Sequence, residues 1–378
     1  MIKAVSQVLF NHENRAPAIS FMAISMAFGA WITRLPEIKS DLNLSEGQLG
    51  TALFFIPLGA VTLLPFYTKI IRRFGERLAT SVALSAFLLV IIWAGQVVSW
   101  FELMAVLYLM GMTMGMTDVA MNAAASEVEK QHDRVIMSVC HGFFSIGGMI
   151  GALLGSIFIA LDQTILIQSI CISLVLLFLV LVHHRFLISS EKVGVTSGFQ
   201  WPKREVLLLS FIGLCVMMVE GGIVDWSTIY LKESLKVSAQ YAGLGFAGFS
   251  LFMALGRFSG DQWLLKFGRK RLMLVGLTLG LTGLTLTFIP SSISAILGFS
   301  VAGLGLSVIV PTLFSASAKV PGVTAAQGIA SVASAGYIGL LVGPVAIGFI
   351  AEEFGLVNGF VFLLMLTLIG LFFSTKVK

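Results

Sequence analysis

Ile70-Ile71-Arg72-Arg73-Phe74-Gly75-Glu76-Arg77-Leu78 is a short basic turn around a single glycine, set between apolar runs at about 47–67 and 79–98. Each run has the roughly 20 residues that a helix needs to cross a bilayer core about 30 Å thick. The turn is too charged for lipid, so it reads as the loop joining two membrane helices. The pattern returns at Leu264-Leu265-Lys266-Phe267-Gly268-Arg269-Lys270-Arg271-Leu272, between apolar runs at 239–259 and 271–289. The same turn at corresponding places implies two related halves.

Outward from these turns, apolar runs of similar length recur at about 16–35, 103–126, 135–160, 164–187, 206–224, 293–316, 325–350 and 356–374, twelve spans in all. The chain is 57% hydrophobic and 11% charged, whereas a soluble domain carries charge on roughly a quarter of its positions. So little charge excludes a water-covered surface. The expected class is an all-α integral membrane protein, with twelve transmembrane helices in two six-helix halves.

Twelve spans put both termini on one side. With the amino terminus in the cytoplasm, nineteen Lys and Arg face the cytoplasm and four (Arg34, Lys39, Lys232, Lys236) face outward, Arg257 lying within a span. The reverse orientation would invert the positive-inside bias, so a bacterial inner membrane with cytoplasmic termini is expected. The most polar long connection, 188–204, reads as a cytoplasmic linker between an amino-terminal bundle, 1–187, and a carboxy-terminal bundle, 205–378. The first fifteen residues lack an apolar core and a small-residue cleavage site, so the first span is expected to remain. Cys140, Cys171 and Cys215 lie in apolar runs without paired spacing and read as packing residues, with no metal site and no cofactor. Basic residues scattered over short loops argue against nucleic acid. The expected partners are a small solute, protons and lipid, and the chain is expected to act as a monomer.

Twelve spans as 6+6, a polar central linker and a Gly-plus-basic loop after spans two and eight resemble the major facilitator superfamily over essentially the whole chain. That family's loop usually reads Gly-x-x-x-Asp-Arg-x-Gly-Arg-Arg; here Thr68 and Arg72 stand at its first Gly and Asp positions, and Leu265 at the second Asp position. Segments 115–122, 137–145, 220–227 and 336–339 are similar to a poorly characterised bacterial branch. The resemblance implies alternating access without naming a substrate.

A charge at the middle of a membrane helix costs roughly 2.5–3.5 kcal/mol on insertion scales, so each one there calls for a partner or a function. Asp118 on span four and His141 on span five sit at similar depth, with Asn122 one turn from Asp118 and Ser138 and Ser145 flanking His141. Sequential spans tend to be neighbours, so Asp118 and His141 are expected to meet and bind a proton, the alternative being a static pair that braces two helices. Near the outer face, Arg34 ends span one, and Glu220 and Asp225 end span seven. The resemblance implies that Arg34 bridges to Glu220 or Asp225 as an outer gate, with Gly221-Gly222 weakening the helix there. Arg257 and Asp261, spaced i, i+4, read as a local ion pair.

Trp31, Asn122, Trp226, Tyr230 and Tyr337 are candidates to line a solute cavity, the four rings by stacking, although most of the 30 Phe, six Trp and five Tyr must face lipid or packing. Gly147, Gly151 and Gly155 form a small-residue stripe suited to close helix approach. Pro311 and Pro344 are expected to kink spans ten and eleven. The leading functional reading is a proton-coupled secondary transporter for a small polar solute, with Asp118 or Glu220 carrying the proton. Export of amphipathic compounds is the alternative, and a non-transporting receptor is less favoured for want of a soluble domain. No nucleophile–base pair or phosphate-binding loop supports an enzyme or ATP-driven transport.

Overall fold

In the computed structural model, residue 8 and residues 10–132, 136–188 and 204–377 are described, without the side chains of Thr68, Glu205, Asp261 and Ala326. The linker expected over 188–204 lies outside the described residues except at its two ends. Among the described residues every regular element is a helix. Lipid offers no hydrogen bonds, so the backbone must satisfy its own polar groups within each segment.

The first helix, α1 (His12–Ile32), starts where the Asn11 side chain accepts from the Glu13 and Asn14 amides at 2.9 and 3.2 Å, an N-cap that holds two otherwise unpaired donors. A short helix, α2 (Leu35–Asp41), follows with proline near its start. The long α3 (Glu46–Ala94) contains two spans, Glu46–Tyr67 and Lys69–Ala94, joined through the basic turn. There Gly75 has φ 76° and ψ 160°, and Gly268 in the second turn has φ 75° and ψ 163°. That region is open essentially to glycine alone, so one glycine per turn is a backbone requirement and the echo is structural.

Next come α4 (Trp100–His132), α5 (Met137–Ala160), α6 (Ile165–His183) and α7 (Leu207–Ile229), which runs into a π turn at Tyr230–Ser234. The short α8 (Ala239–Ala242) precedes α9 (Leu244–Phe267) and α10 (Arg269–Thr287). Span ten is broken into α11 (Ser292–Leu306) and α12 (Ile309–Ser317). The break at Ser307-Val308 sits where Pro311 removes a hydrogen bond to the carbonyl four residues back. The last helices, α13 (Ala325–Phe354) and α14 (Leu356–Ser374), follow; α13 is a continuous helix through Pro344. Eleven described segments are long and apolar enough to cross a membrane. The twelfth expected span is α10, which falls short because it begins with Arg269-Lys270-Arg271.

Helices α1 to α14 pack as two compact units: Met1–Asn43, Phe55–Val195 and Ala239–Gly243, and Leu44–Phe54, Thr196–Ser238 and Leu244–Lys378. In the first unit the glycine stripe of α5 lies on α1. A Cβ at Gly147 or Gly151 would fall on the carbonyl oxygen of Met22 or Met26, and one at Gly155 on the Thr33 hydroxyl. Likewise α3 meets α4 where Gly59 faces the Tyr108 carbonyl and Gly111 the Ile56 carbonyl. In the second unit α13 lies on α7, with Gly339 against the Leu214 carbonyl and Gly336 against Met217. Helix α9 meets α11 where Gly303 faces the Phe249 carbonyl. The first turns of α3 belong to this second unit: the Gly47 amide donates to the Glu352 carboxylate at 3.1 Å, and Gly50 packs on Pro344 and Gly348.

The α1–α5 contact has a direct test. Gly151→Val should lower the apparent stability of the detergent-purified protein by about 1–3 kcal/mol or prevent its accumulation, as overpacking of a closed interior does. Leu153→Val, at a position 38% exposed on the same helix, should leave the thermal melting curve within about 0.5 kcal/mol of wild type. Equal behaviour of the two variants would refute the packing role of the stripe.

Candidate functional site

Arg34 sits at the junction of α1 and α2 and is 3% exposed. Its donors are taken up within the first unit: Nε donates to Gln168 Oε1 at 2.8 Å, Nη1 to Glu37 Oε2 at 2.6 Å and Nη2 to the Gln163 carbonyl at 2.7 Å. The Gln168 amide in turn donates to the Ala30 carbonyl at 2.8 Å. These are the partners that the structure gives Arg34 among the described residues. A buried guanidinium needs its donors matched nearby, and the end of α1 lies beside the start of α6. Gln168 was not singled out from sequence, although a lone glutamine in so apolar a span was the available signal.

Asp118 lies in the middle third of α4. Its carboxylate accepts from Asn122 Nδ2 at 3.1 Å, and the same amide reaches the Asp118 carbonyl at 2.8 Å. The carboxylate is also near enough to the Tyr67 hydroxyl for the two to interact electrostatically. That hydroxyl, at the buried end of the first span of α3, is placed to donate to the Ala60 carbonyl at 3.0 Å or that of Met112 at 3.1 Å. His141 meets Phe21 of α1 edge-on, ring centroids 5.0 Å apart, where α5 is drawn onto α1 by its glycines. The contacts described for these two side chains are thus with Asn122 for Asp118 and with Phe21 for His141. Asn122 is half-buried beside Asp118; Tyr67 was missed, a single polar aromatic at a span end.

In the second unit Arg257 Nη2 donates to Glu220 Oε1 at 3.1 Å, with 19% and 23% of the two side chains exposed. The local partner expected for Arg257, Asp261, has its side chain outside the described residues. The segment Leu207–Ser234 places Glu220 at mid-span rather than near the outer face, because the helix continues ten residues past its expected end at 224. Gly221 and Gly222 do not bend it: α7 runs unbroken through both. A Cβ at Gly221 would press on Leu340 and one at Gly222 on Ile347 and Leu363, so they are close-approach sites. Asp225 is half-buried and makes no hydrogen bond or ion pair among the described residues.

Of the four aromatic candidates, three are interior packing residues. Trp31 is 2% exposed, its indole nitrogen 3.5 Å from the Ala94 carbonyl. Trp226 is fully buried, and Tyr230 donates to the Thr287 carbonyl at 2.8 Å and packs on Phe360 and Phe299. Large rings fill helix-bundle interiors efficiently, which corrects their cavity assignment. Tyr337 remains 37% exposed. The polar groups that the structure brings together inside apolar spans are therefore Asp118 with Asn122 near Tyr67, and Glu220 with Arg257.

A family model described as Major Facilitator Superfamily matches the chain twice, over residues 17–208 and 206–377. An uncharacterised MFS-type transporter of Yersinia pestis is 31% identical over 354 residues, 92% of each chain. The membrane protein MosC of Rhizobium meliloti is 30% identical over 358 residues, 92% of this chain and 86% of that one. Among solved structures, a variant of the nucleoside transporter NupG has a TM-score of 0.76 at 14% identity, covering 97% of this chain and 100% of that chain. A bacterial homologue of the human lysosomal transporter Spinster, inward-facing and occupied, has a TM-score of 0.74 at 13% identity over 96% of each chain.

Arg34→Gln should destabilise the protein by at least about 2 kcal/mol, since it strips donors from Gln168, Gln163 and Glu37 at a closed position. Glu37→Gln should cost under about 1 kcal/mol, because Glu37 is 42% exposed and exposed pairs contribute little. Thermal melts of the two purified variants check this, and a larger loss for Glu37→Gln would overturn the buried-network account.

Proposed function

Because the chain belongs to the major facilitator superfamily, we propose that it is a secondary active transporter, moving a small polar solute across the bacterial inner membrane by alternating access with proton coupling. Both termini lie in the cytoplasm in this reading. The observation that carries the coupling is the presence of ionisable side chains inside apolar spans of each unit: Asp118, held by Asn122, and Glu220, held by Arg257. Groups retained in a span despite their insertion cost mark proton or solute pathways. Glu220 has a partner from which proton binding would release it, and Asp118 has a neutral partner that tolerates either protonation state. His141, which meets Phe21 edge-on, is a less favoured carrier in this reading. Tyr337, 37% exposed on α13, is the aromatic that this reading would have touch a solute. The fold neighbour NupG is a nucleoside transporter; at its low identity it lends this chain a scaffold and no ligand.

Flux in proteoliposomes tests the reading. A solute found by screening sugars, organic acids, amino acids, nucleosides and cationic drugs for thermal stabilisation should show counterflow, and accumulation driven by an imposed inward proton gradient. Asp118→Asn or Glu220→Gln should keep counterflow and lose at least about tenfold of that accumulation. If both variants retain proton-driven accumulation, the coupling residues lie elsewhere. Stabilisation by amphipathic cations alone would favour export.

A further inference from the structure

Asp118 has Asn122 and Glu220 has Arg257, but Asp225, farther along α7, makes no hydrogen bond and no ion pair among the described residues. Helices α9, α11, α12, α13 and α14 pack on α7. Of these, α9 carries Arg257, Asp261 and Lys266, α13 carries Tyr337, Glu352 and Glu353, and the other three carry no ionisable residue. No described charge on these helices or on α7 itself lies close enough to act on the Asp225 carboxyl. Asp261, whose side chain is outside the described residues, stands on the far side of the ion pair. Helices α7 and α9 run antiparallel, with Leu231 beside Gly245 and Glu220 beside Arg257. Asp225 is thus five residues beyond the pair in one direction and Asp261 four in the other, which separates them by about 13 Å along the helices.

The exposure of α7 gives that place a meaning. Leu214, Met217, Gly221, Val224 and Asp225 are half-buried and follow one another at the three- and four-residue steps of a single helix face. Glu220 lies beside this stripe and keeps its ion pair with Arg257 partly exposed, so the stripe is met by water rather than by acyl chains, where charge is costly. It ends at Asp225. Residues Trp226 to Leu231 are at most 2% exposed. Thr228, the next residue on the same face, is fully buried, and its hydroxyl makes no hydrogen bond among the described residues. A carboxyl at the closed end of a reachable stripe meets water from one direction only, as the proton site of an alternating-access carrier must.

A carboxyl placed there, with neither a cation nor a hydrogen-bond donor beside it, is costly as an anion and far less so as a neutral acid. We infer that Asp225 is a proton-binding residue: in this conformation it holds a proton, and it releases that proton when the buried turn beyond it opens to water. Release breaks the O–H bond, leaves the electron pair on the carboxylate and passes the proton to water. This inference rests on the proton-coupled reading above and adds Asp225 to the residues that carry the proton.

The test reads the proton itself and needs no solute. Full-length protein in lipid bilayers is titrated between pH 5.5 and 8.5 by infrared spectroscopy, in which the carbonyl stretch of a protonated carboxyl stands apart from the carboxylate bands. At pH 7.5 the spectrum of wild type minus that of Asp225→Asn should contain a protonated-carboxyl band. Asp225→Glu should restore the band at a shifted frequency, and Glu220→Gln should leave it in place. Melting curves give a second measure. The unfolded chain carries Asp225 as an anion over this range and so binds fewer protons than the folded protein, which makes wild type lose stability as the pH rises. Relative to Asp225→Asn, whose amide does not titrate, that loss is up to about tenfold in the folding equilibrium per pH unit. Asp225→Asn should therefore melt above wild type at pH 8.5 and by less at pH 5.5. A difference spectrum without the band, or an offset between the two melting curves that does not change with pH, overturns the inference. Should Asp225→Asn fail to accumulate, Asp225→Glu decides alone: a band moved from its wild-type frequency supports the assignment and an unmoved one overturns it. Neither measurement depends on flux. A band assigned to Asp225 in a protein that moves no solute supports this site and sinks the transport reading, whereas a proton-driven transporter without the band overturns the site and leaves that reading standing.

Discussion

Backbone-to-backbone contact at glycine is the constraint on which the rest of this structure depends. In lipid an apolar side chain gains little by turning from acyl chains to a neighbouring helix, so association relies on close packing. The pairs α1–α5 and α7–α13 are each seated where glycine lets one helix touch the other's carbonyls, at Gly151 against Met26 and Gly339 against Leu214. Once α5 is committed to α1, its remaining faces are fixed. His141 then falls beside Phe21, and α4 keeps Asp118 for Asn122 and Tyr67. The placement of the polar groups is thus a consequence of packing between small residues some distance from them.

The same economy of polar partners separates two kinds of buried charge. Arg34 is matched on every side, by a side-chain amide, a carbonyl and a carboxylate within one unit, and is nearly sealed from solvent. Such a network resists change, because any motion that parts it leaves several unsatisfied groups at once. Glu220 and Arg257 meet at 3.1 Å and remain partly exposed, so this pair is less sealed than the Arg34 network.

The helices were legible in the sequence because a span needs only length and low polarity. The basic turns were legible because φ near +75° at Gly75 and Gly268 admits little but glycine. What stayed hidden was direction. Depth along a helix follows from residue number, but the identity of the helix faced by a side chain depends on which pairs of helices lock together. Arg34 and Asp118 were therefore legible as ionisable groups within apolar spans, whereas Gln168 and Tyr67, which approach them from other helices, were not. Trp31, Trp226 and Tyr230 failed for a related reason: residue type and depth are the same for a ring that fills a bundle and for one that lines a cavity. Glu220 was misplaced because α7 outruns its apolar core, through the π turn at Tyr230–Ser234, where polar residues made the span look shorter.

The internal duplication offers an independent way to sort scaffold from function. Gly147 and Gly151 recur 192 residues later as Gly339 and Gly343, and Gly75 recurs 193 residues later as Gly268. The positions that build helix pairs and turns are therefore repeated in both halves. The charges are not: a shift of 193 carries Arg257 back to Leu64, Glu220 to Ala27 and Asp118 forward to Pro311. A charge needed to brace the repeated scaffold would be needed twice, since each half meets the same packing problem. Each of these appears once, in one half and not in the other, so the repeated helix packing does not by itself call for it. Asp118, Glu220 and Arg257 are thus particular to one half each, unlike the glycines that seat the helix pairs in both.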